Sequence, residues 1–187
     1  MKETINELIL FLKNPILGED ENTNFTYRLK KFFSIFIISL VTSFFFTILI
    51  SFIEESGLIS TEEHSVENLF ENKGTMYFFI FAVIIAPLIE ECIFRAPLTL
   101  FKNKKAFKIA FYAFAIAFGF LHITNYEMTK NILLFSPLLI APQIFAGLYF
   151  GFIRVKFGLL WSIALHATYN FLLFSLFLLA KDAITQS

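Results

Sequence analysis

Long apolar segments separated by short polar runs make up most of this chain. Five of them have the roughly 17–25 residues that a helix needs to cross a bilayer, and they cover residues 32–53, 76–101, 107–123, 132–153 and 159–180. The second is longer than one crossing requires, and Pro87 and Pro97 predict that it is kinked or divided. The pattern therefore predicts an all-α polytopic transmembrane helical bundle of about five spans.

The N-terminal residues 4–17 mix apolar and charged positions and are too short and too charged to cross. We expect an amphipathic helix that lies on the membrane surface. The segment lacks the basic region and small-residue cleavage site of a secretory signal, so it is expected to be retained. With no repeat, linker or low-complexity segment, residues 1–187 are expected to form a single integral membrane domain.

Composition agrees with a membrane protein, since 57% of the residues are hydrophobic and 28 of 187 are Phe. Basic and acidic residues are equal in number, 15 each, so no positive field favours nucleic acid as a partner. Cys92 is the single cysteine, which excludes an intrachain disulfide and a thiolate metal cluster.

Charges between the apolar segments predict the orientation. Residues 54–74 hold six glutamates and His64, which we expect to be solvated. Basic residues precede the first segment, follow the second and separate the last two, and with five crossings all of them fall on one side of the membrane. Because such residues favour the cytoplasm, the N-terminus is expected to be cytoplasmic. The basic residues are Arg28, Lys30, Lys31, Lys102, Lys104, Lys105, Lys108, Arg154 and Lys156.

Polar and charged residues also occur inside three of the apolar segments, where a charged side chain costs at least about 2.5–3.5 kcal/mol. Counted from the basic ends at the helical rise, Glu90, His122 and His166 lie roughly 16, 21 and 12 Å deep. One shared pocket near mid-membrane is therefore predicted. The full set is Glu90, Glu91, Arg95, His122, His166 and Asn170.

The helical repeat predicts different surroundings for the two adjacent glutamates. Glu91 and Arg95 are four residues apart, which suits an ion pair on one helix face. Glu90 is turned about 100° away and can face the pocket. We therefore interpret Glu90 as a candidate general base toward water. For Glu91 and Arg95 the alternative is a structural pair that only joins helices.

The remaining three residues are open to several interpretations. His166 and Asn170 are also four residues apart and can bind a polarised carbonyl, a water molecule or a metal ion. His122 extends from another segment, one turn after Phe118. Each of them alone is more typical of a hydrogen-bonded packing residue, so the hypothesis of a site rests on the joint pattern.

Three motifs carry a resemblance to a known family: Glu90-Glu91-x-x-x-Arg95, Phe118-x-x-x-His122 and His166-x-x-x-Asn170. In order and spacing they resemble the CPBP family of intramembrane proteases, the CAAX proteases and bacteriocin-processing enzymes also called Abi. The resemblance covers about residues 82–174 and implies a protease core over about residues 76–180. The chain has fewer spans than the family's eukaryotic prenyl-protein proteases.

The resemblance implies an intramembrane endopeptidase that hydrolyses a peptide bond of a membrane-associated or lipidated protein or peptide. Glu90 would activate water, and His122, His166 and Asn170 would hold the water or stabilise the oxyanion. Glu91 and Arg95 would fix the architecture of the site. It also implies a bilayer environment, with the bacterial plasma membrane as the expected location.

The resemblance leaves the cofactor open. Such enzymes are often called metalloproteases, and zinc or another divalent metal held by Glu90, His122 and His166 fits ordinary ligand chemistry. A metal-free glutamate mechanism is the alternative.

Two other function classes stay open. A non-catalytic binding or bacteriocin self-immunity protein could use the same fold, and a small proton-coupled transporter also needs buried carboxylates and histidines. The transporter is less favoured because the chain shows no inverted pair of interrupted helices. The sequence specifies neither the substrate nor the oligomeric state, and we expect access to the site from the cytoplasm or laterally from lipid.

Overall fold

The computed structural model describes residues 1–59 and 74–185, and within these ranges the chain is helical without a β-strand. The predicted solvation of His64 and of the glutamates at 62, 63, 67 and 71 concerns residues outside the described ranges. The helices are α1 (Lys2–Lys13), α2 (Phe25–Glu55), α3 (Thr75–Ile80), α4 (Ala86–Phe94), α5 (Lys104–Leu121), α6 (Lys130–Leu139), α7 (Ala141–Phe157) and α8 (Leu159–Thr185).

Five helical stretches of the described chain are long and apolar enough to cross a membrane, which confirms the predicted all-α fold. The first starts earlier than predicted because the Asn24 side chain accepts the Tyr27 backbone N–H at 3.1 Å and caps the helix there. The stretches are Phe25–Glu55, Thr75–Leu100, Lys104–Asn125, Lys130–Phe157 and Leu159–Lys181.

The second stretch is divided, as its prolines predict. A π-helical turn, Phe81–Ile85, joins α3 to α4, and Pro87 lies in the first turn of α4. Proline cannot donate to the carbonyl four residues earlier and its ring crowds that carbonyl, so a wider turn before it relieves the conflict. Pro97 lies in the short 3₁₀ helix Ala96–Leu100 that ends the stretch.

The core is built around α7, which packs on α2, α5 and α8. Phe150, Phe152 and Ile153 are fully buried there. Gly151 lets α5 approach closely, since a Cβ atom at this position would lie 2.8 Å from Cε2 of Phe111. Small residues at such crossings bring helix backbones together, and Gly147 and Gly151 lie four residues apart on α7.

Helix α1 is attached to the bundle as well as being amphipathic. Phe11 packs edge-on against Phe111 and Phe152, with ring centroids 5.2 Å apart in both pairs. The hydroxyl of Tyr112 donates to the carbonyl of Leu12. These contacts place α1 against the end of the bundle where α5 begins and α7 ends, which we call the near end.

Charged contacts bring the predicted basic clusters to this same near end. The Lys31 ammonium lies 2.5 Å from Oε2 of Glu7 and 3.2 Å from Oδ2 of Asp20. The Lys156 ammonium lies 3.7 Å from Oε1 of Glu7, and Lys108 donates to the last carbonyl of α1 at 3.4 Å. Members of all three clusters therefore share one end. At the opposite, far end, the Asn131 side chain donates to the Leu58 carbonyl at 2.7 Å.

Acidification is expected to loosen the segment around Asp20. Burial alone would raise the pKa of this carboxyl, but hydrogen bonds from the Asn22 backbone N–H and the Tyr27 hydroxyl, with the Lys31 ammonium, outweigh it and lower the pKa. A pKa lowered by folding stabilises the folded state above the unfolded value, and this contribution is lost as pH falls through the folded value. Hydrogen exchange in residues 18–24, corrected for intrinsic rates, should therefore accelerate below about pH 4.

The control for this expectation is Asp20→Asn, which should exchange faster at neutral pH and show no further acceleration in acid. An unchanged acid step in that variant would assign the effect to another group.

Candidate active site

Glu91 of α4 is the centre of a buried cluster and is fully inaccessible to solvent. Its Oε1 atom lies 3.1 Å from Nδ1 of His166 and 3.5 Å from a terminal nitrogen of Arg95. Its Oε2 atom accepts a hydrogen bond from the Ser162 hydroxyl. Both carboxylate oxygens of Glu91 therefore have partners. Two of these partners, His166 and Ser162, belong to α8.

His166 connects the two adjacent glutamates. Its ring is buried, stacked on Phe150 at 4.6 Å between centroids and edge-on to Phe118 at 5.7 Å. Because an ionised carboxylate can only accept, the contact with Glu91 assigns the hydrogen to Nδ1. The other ring nitrogen, Nε2, lies 3.6 Å from Oε2 of Glu90.

Arg95 is a buried cation held by one carboxylate and by the aromatic rings of Phe94, Phe118 and Phe150. Its guanidinium carbon lies 4.0 Å from the centroid of Phe118, a cation–π distance. Neither terminal nitrogen has a hydrogen-bond partner among the described residues. The 3.5 Å approach to Glu91 is therefore an ion pair without hydrogen-bond geometry, and the aromatic rings supply the other stabilising contacts.

Glu90 borders this cluster and lines a pocket of about 380 Å³, and its side chain is 17% exposed. This agrees with the predicted rotation between the two glutamates. The pocket is lined by Phe78, Phe81, Ala82, Ala86, Glu90, Leu121, His122, Thr124, Asn125 and Asn170.

His122 lies at the end of α5, where the helix tightens into the 3₁₀ turn His122–Asn125. Its Nδ1 atom lies 2.8 Å from the Phe118 carbonyl oxygen, and its ring packs on the Phe118 ring at 4.8 Å. A carbonyl only accepts, so Nδ1 carries a hydrogen. In the neutral ring, Nε2 is therefore a hydrogen-bond acceptor.

Asn170 is placed in the pocket by the π-helical turn. Its Nδ2 group donates to the carbonyl of Ala82 at 2.8 Å, and Ala82 lies in that turn. A π-helical turn shifts carbonyls away from the regular helical ladder, and such turns are frequent at functional sites. The amide nitrogen carries a second hydrogen, which a pocket ligand can accept.

The structure brings all six predicted residues together but arranges them in two layers. Glu90, His122 and Asn170 line the pocket, whereas Glu91, Arg95 and His166 form the buried layer behind it. His166 and Asn170 were expected to point into the same space. His166 instead lies deeper, because its Nδ1 atom binds Glu91.

Three contributing residues were missed by the sequence analysis. Ser162 binds Glu91, and its four-residue spacing to His166 and then Asn170 was a signal that could have identified it. Phe150 stacks on His166 without a recognisable motif. Arg154 donates from Nε to the Arg95 carbonyl at 3.1 Å and so holds the end of α4.

The candidate metal ligands do not converge in this arrangement. Within residues 1–59 and 74–185, no group of three His, Cys, Asp or Glu side chains is placed to hold a metal ion. Glu90 and His122 line the pocket, whereas His166 lies in the buried layer. We therefore derive no step through a metal.

Enlarging Gly147 of α7 is expected to disturb the buried layer. A Cβ atom there would lie 3.2 Å from a terminal nitrogen of Arg95 and 3.2 Å from Cδ1 of Phe118. Valine adds still more volume, and overpacking of this kind costs about 1–3 kcal/mol. Detergent-based unfolding should show this loss for Gly147→Val. The control is Gly18→Val, at a position with no neighbour within 4 Å of a Cβ. Equal stability of the two variants would contradict the expectation.

Comparison with known proteins identifies the family. A family model described as type II CAAX prenyl endopeptidase Rce1-like matches residues 72–172, more than half of the chain and inclusive of all six motif residues. No curated protein and no solved structure matches the chain significantly. The resemblance to CAAX proteases is thereby confirmed, and the five apolar helices agree with an integral membrane protein. The chain belongs to the type II CAAX prenyl endopeptidase Rce1-like family of intramembrane proteases.

Proposed function

We propose that this protein is an intramembrane endopeptidase in which Glu90 activates the water that attacks a peptide carbonyl. The observation that carries the proposal is the position of Glu90. Its carboxylate faces the pocket and lies 3.6 Å from Nε2 of a histidine whose other nitrogen is fixed by Glu91. An oriented carboxylate and imidazole at this distance are suited to general-base catalysis.

The two groups are suited to share one water molecule that bridges the pair from the pocket side. With the hydrogen of His166 on Nδ1, its Nε2 atom and the Glu90 carboxylate are both acceptors. Two acceptors 3.6 Å apart favour a molecule that donates to both. Water donates one hydrogen to each, and its lone pair is then free to face a carbonyl in the pocket.

Hydrolysis follows from this placement. The water oxygen forms a bond to the carbonyl carbon as Glu90 takes one of its protons, and the carbonyl oxygen becomes an oxyanion. We assign the stabilisation of that charge to the second amide hydrogen of Asn170, which lines the same pocket. The C–N bond then breaks, and Glu90 returns the proton to the leaving amine, giving a carboxyl product and a free amine.

His122 fits a different role from Asn170. As a neutral ring it offers an acceptor at Nε2, so it is suited to hold water or a substrate N–H group rather than the oxyanion. Glu91 and Arg95 are positioning residues, because Glu91 orients His166 and Arg95 balances the charge of Glu91. We propose that residues 76–180 form the protease core.

The substrate that fits the site is a peptide segment of a membrane-associated or lipidated protein. We propose that the near end of the bundle, where all three basic clusters meet, faces the cytoplasm. The N-terminus is then cytoplasmic.

The test is cleavage of a panel of quenched-fluorescent peptides by detergent-purified protein, with product masses determined. Wild type and Glu3→Gln, an exposed surface glutamate of α1, should cleave the same peptide, and Glu90→Gln should not. Cleavage by Glu90→Gln at the wild-type rate would refute the proposal. Peptide binding without hydrolysis by wild type would support the non-catalytic binding or immunity function instead.

A chelator arm of the same assay addresses the cofactor. Because the side chains do not form a metal site in this arrangement, we expect phenanthroline to leave the rate unchanged. Loss of activity with phenanthroline and its recovery with zinc would replace the metal-free route by one in which Glu90 and the histidines bind metal.

A further inference from the structure

We infer that a groove at the near end, between the start of α1 and one side of α2, binds a phospholipid with an anionic headgroup. The groove has a volume of about 370 Å³. It shares no lining residue with the pocket at Glu90, so it is a separate site, and its occupation can be measured without peptide cleavage. The lining residues include Met1, Thr26, Lys30, Phe33, Ser34 and Ile37.

The groove follows one stripe of α2. Thr26, Lys30, Phe33 and Ile37 recur at intervals of three or four residues, so they lie on one face of the helix. From Thr26 to Ile37 the stripe is about 16 Å long. Met1 lines the groove from the side of α1. Phe33 and Ile37 are 48% and 44% exposed, so this face is left uncovered by the described part of the chain.

The stripe changes from polar to apolar along its length. Thr26 and Lys30 precede the apolar run of residues 32–53, whereas Phe33 and Ile37 lie in the first turns of that run. A bilayer changes in the same order, from the headgroup region to hydrocarbon. The stripe therefore matches an amphiphile whose headgroup lies beside Lys30 and whose acyl chain lies on Phe33 and Ile37. A soluble anion would occupy only the polar part.

Lys30 determines the preferred charge of the headgroup. The basic residues nearest to it in sequence have partners: the Lys31 ammonium lies 2.5 Å from a carboxylate oxygen of Glu7, and Arg28 donates to the Asn22 carbonyl at 2.9 Å. Lys30 is exposed, and within residues 1–59 and 74–185 it forms no ion pair. Its ammonium is complementary to an anionic headgroup. A zwitterionic headgroup carries a cation of its own and is attracted less.

The buried side of the groove does not compete for the headgroup. The Ser34 hydroxyl is buried and donates to the Lys30 carbonyl at 2.9 Å, so its hydrogen is already used. A lipid in the groove contacts α2 and Met1 together, beside the ion pair of Lys31 with Glu7. Anionic lipid is therefore expected to strengthen the attachment of α1 to the bundle.

Fluorescence quenching in a bilayer tests the lipid preference. In a Trp161→Phe background, Ile37→Trp places the single tryptophan in the groove, and the protein is reconstituted into phosphatidylcholine nanodiscs with a small fraction of brominated lipid. Brominated phosphatidylglycerol should reach half-maximal quenching at a mole fraction about five-fold lower than brominated phosphatidylcholine, which is the weight of one lysine near an anionic surface. Equal quenching by the two lipids would overturn the inference.

Two lysine variants assign this preference to a residue. When Lys30→Gln is added, the five-fold preference should fall to about one. Lys105→Gln removes an exposed charge at the same near end but outside the groove, and this variant should keep the preference. A preference that survives Lys30→Gln, or that both variants reduce equally, would mean diffuse attraction by the near end and would contradict a site in the groove.

Thermal unfolding of the protein with its native groove distinguishes a lipid from a free anion. A ligand that binds only the folded state raises the unfolding midpoint in a saturable manner. In neutral detergent, with Trp161 fluorescence as the signal, short-chain phosphatidylglycerol should raise the midpoint of wild type but not of Lys30→Gln. Short-chain phosphatidylcholine and glycerol phosphate should have little effect. An equal rise with glycerol phosphate would assign the groove to a free phosphate, and no rise with phosphatidylglycerol would refute the lipid site.

Discussion

Glu91→Ala is expected to destabilise the folded protein by about 3–5 kcal/mol, the cost of removing one partner from a buried ion pair. The carboxylate of Glu91 contacts Arg95, His166 and Ser162 at once. Without it, the buried guanidinium of Arg95 loses its ion pair and keeps its contacts with aromatic rings, the nearest of which is Phe118. The loss should appear as a lower midpoint in detergent unfolding followed by the fluorescence of Trp161, the single tryptophan.

The adjacent Glu90→Ala is the matched control, because the same atoms are removed one residue away. The Glu90 side chain is partly exposed to the pocket, and its close polar contact within the described residues is the 3.6 Å approach to Nε2 of His166. This variant should therefore fold with nearly wild-type stability. Glu91→Gln should fall between the two, since it keeps the shape of the side chain and loses its charge. Equal stability of the two alanine variants would show that the two layers are not distinct.

The fold could be predicted from the sequence because each span depends on its own residues. A run such as residues 159–180 must be helical in a bilayer, where backbone groups have no other partners. In the second stretch, Pro87 predicts a break in the helix. The adjacent positions of Glu90 and Glu91 likewise fix a rotation of about 100° between them. Local rules of this kind predicted the five spans and the six candidate site residues.

The depth of each site residue depends on partners far away in sequence. His166 lies behind the pocket because it binds Glu91, 75 residues earlier, and Asn170 is held by a carbonyl 88 residues earlier. That carbonyl lies in the π-helical turn before Pro87, and the proline predicts a break there without predicting which carbonyl the break makes available. The packing of α4 on α8 therefore determines which predicted residues meet the substrate.

The largest effect on catalysis is expected for Glu90 and His166, which should act as one unit. If both hold the same water, the loss of either leaves the water unoriented. Glu90→Gln and His166→Ala should each lower kcat/KM by about 10²–10⁴-fold, the range for a positioned acid–base group. The double variant should be little worse than the poorer single variant, because effects of residues that act together are not additive. The measurement is steady-state cleavage of one peptide by all four proteins.

Asn170, which also lines the pocket, separates this explanation from general damage to the site. Asn170→Ala removes the proposed oxyanion donor while Glu90 and His166 remain. Its fold loss in kcat/KM should therefore multiply with the fold loss of Glu90→Gln, provided that the residual activity of the double variant is measurable. Multiplicative losses for Glu90 and His166 would instead mean that the two side chains contribute independently. His166 would then act through its contacts with Glu91 and Phe150, and the water would be held by Glu90 with another partner in the pocket. The acceptor nitrogen of His122, which lines the same pocket, would be the next residue to pair with Glu90 in such a cycle.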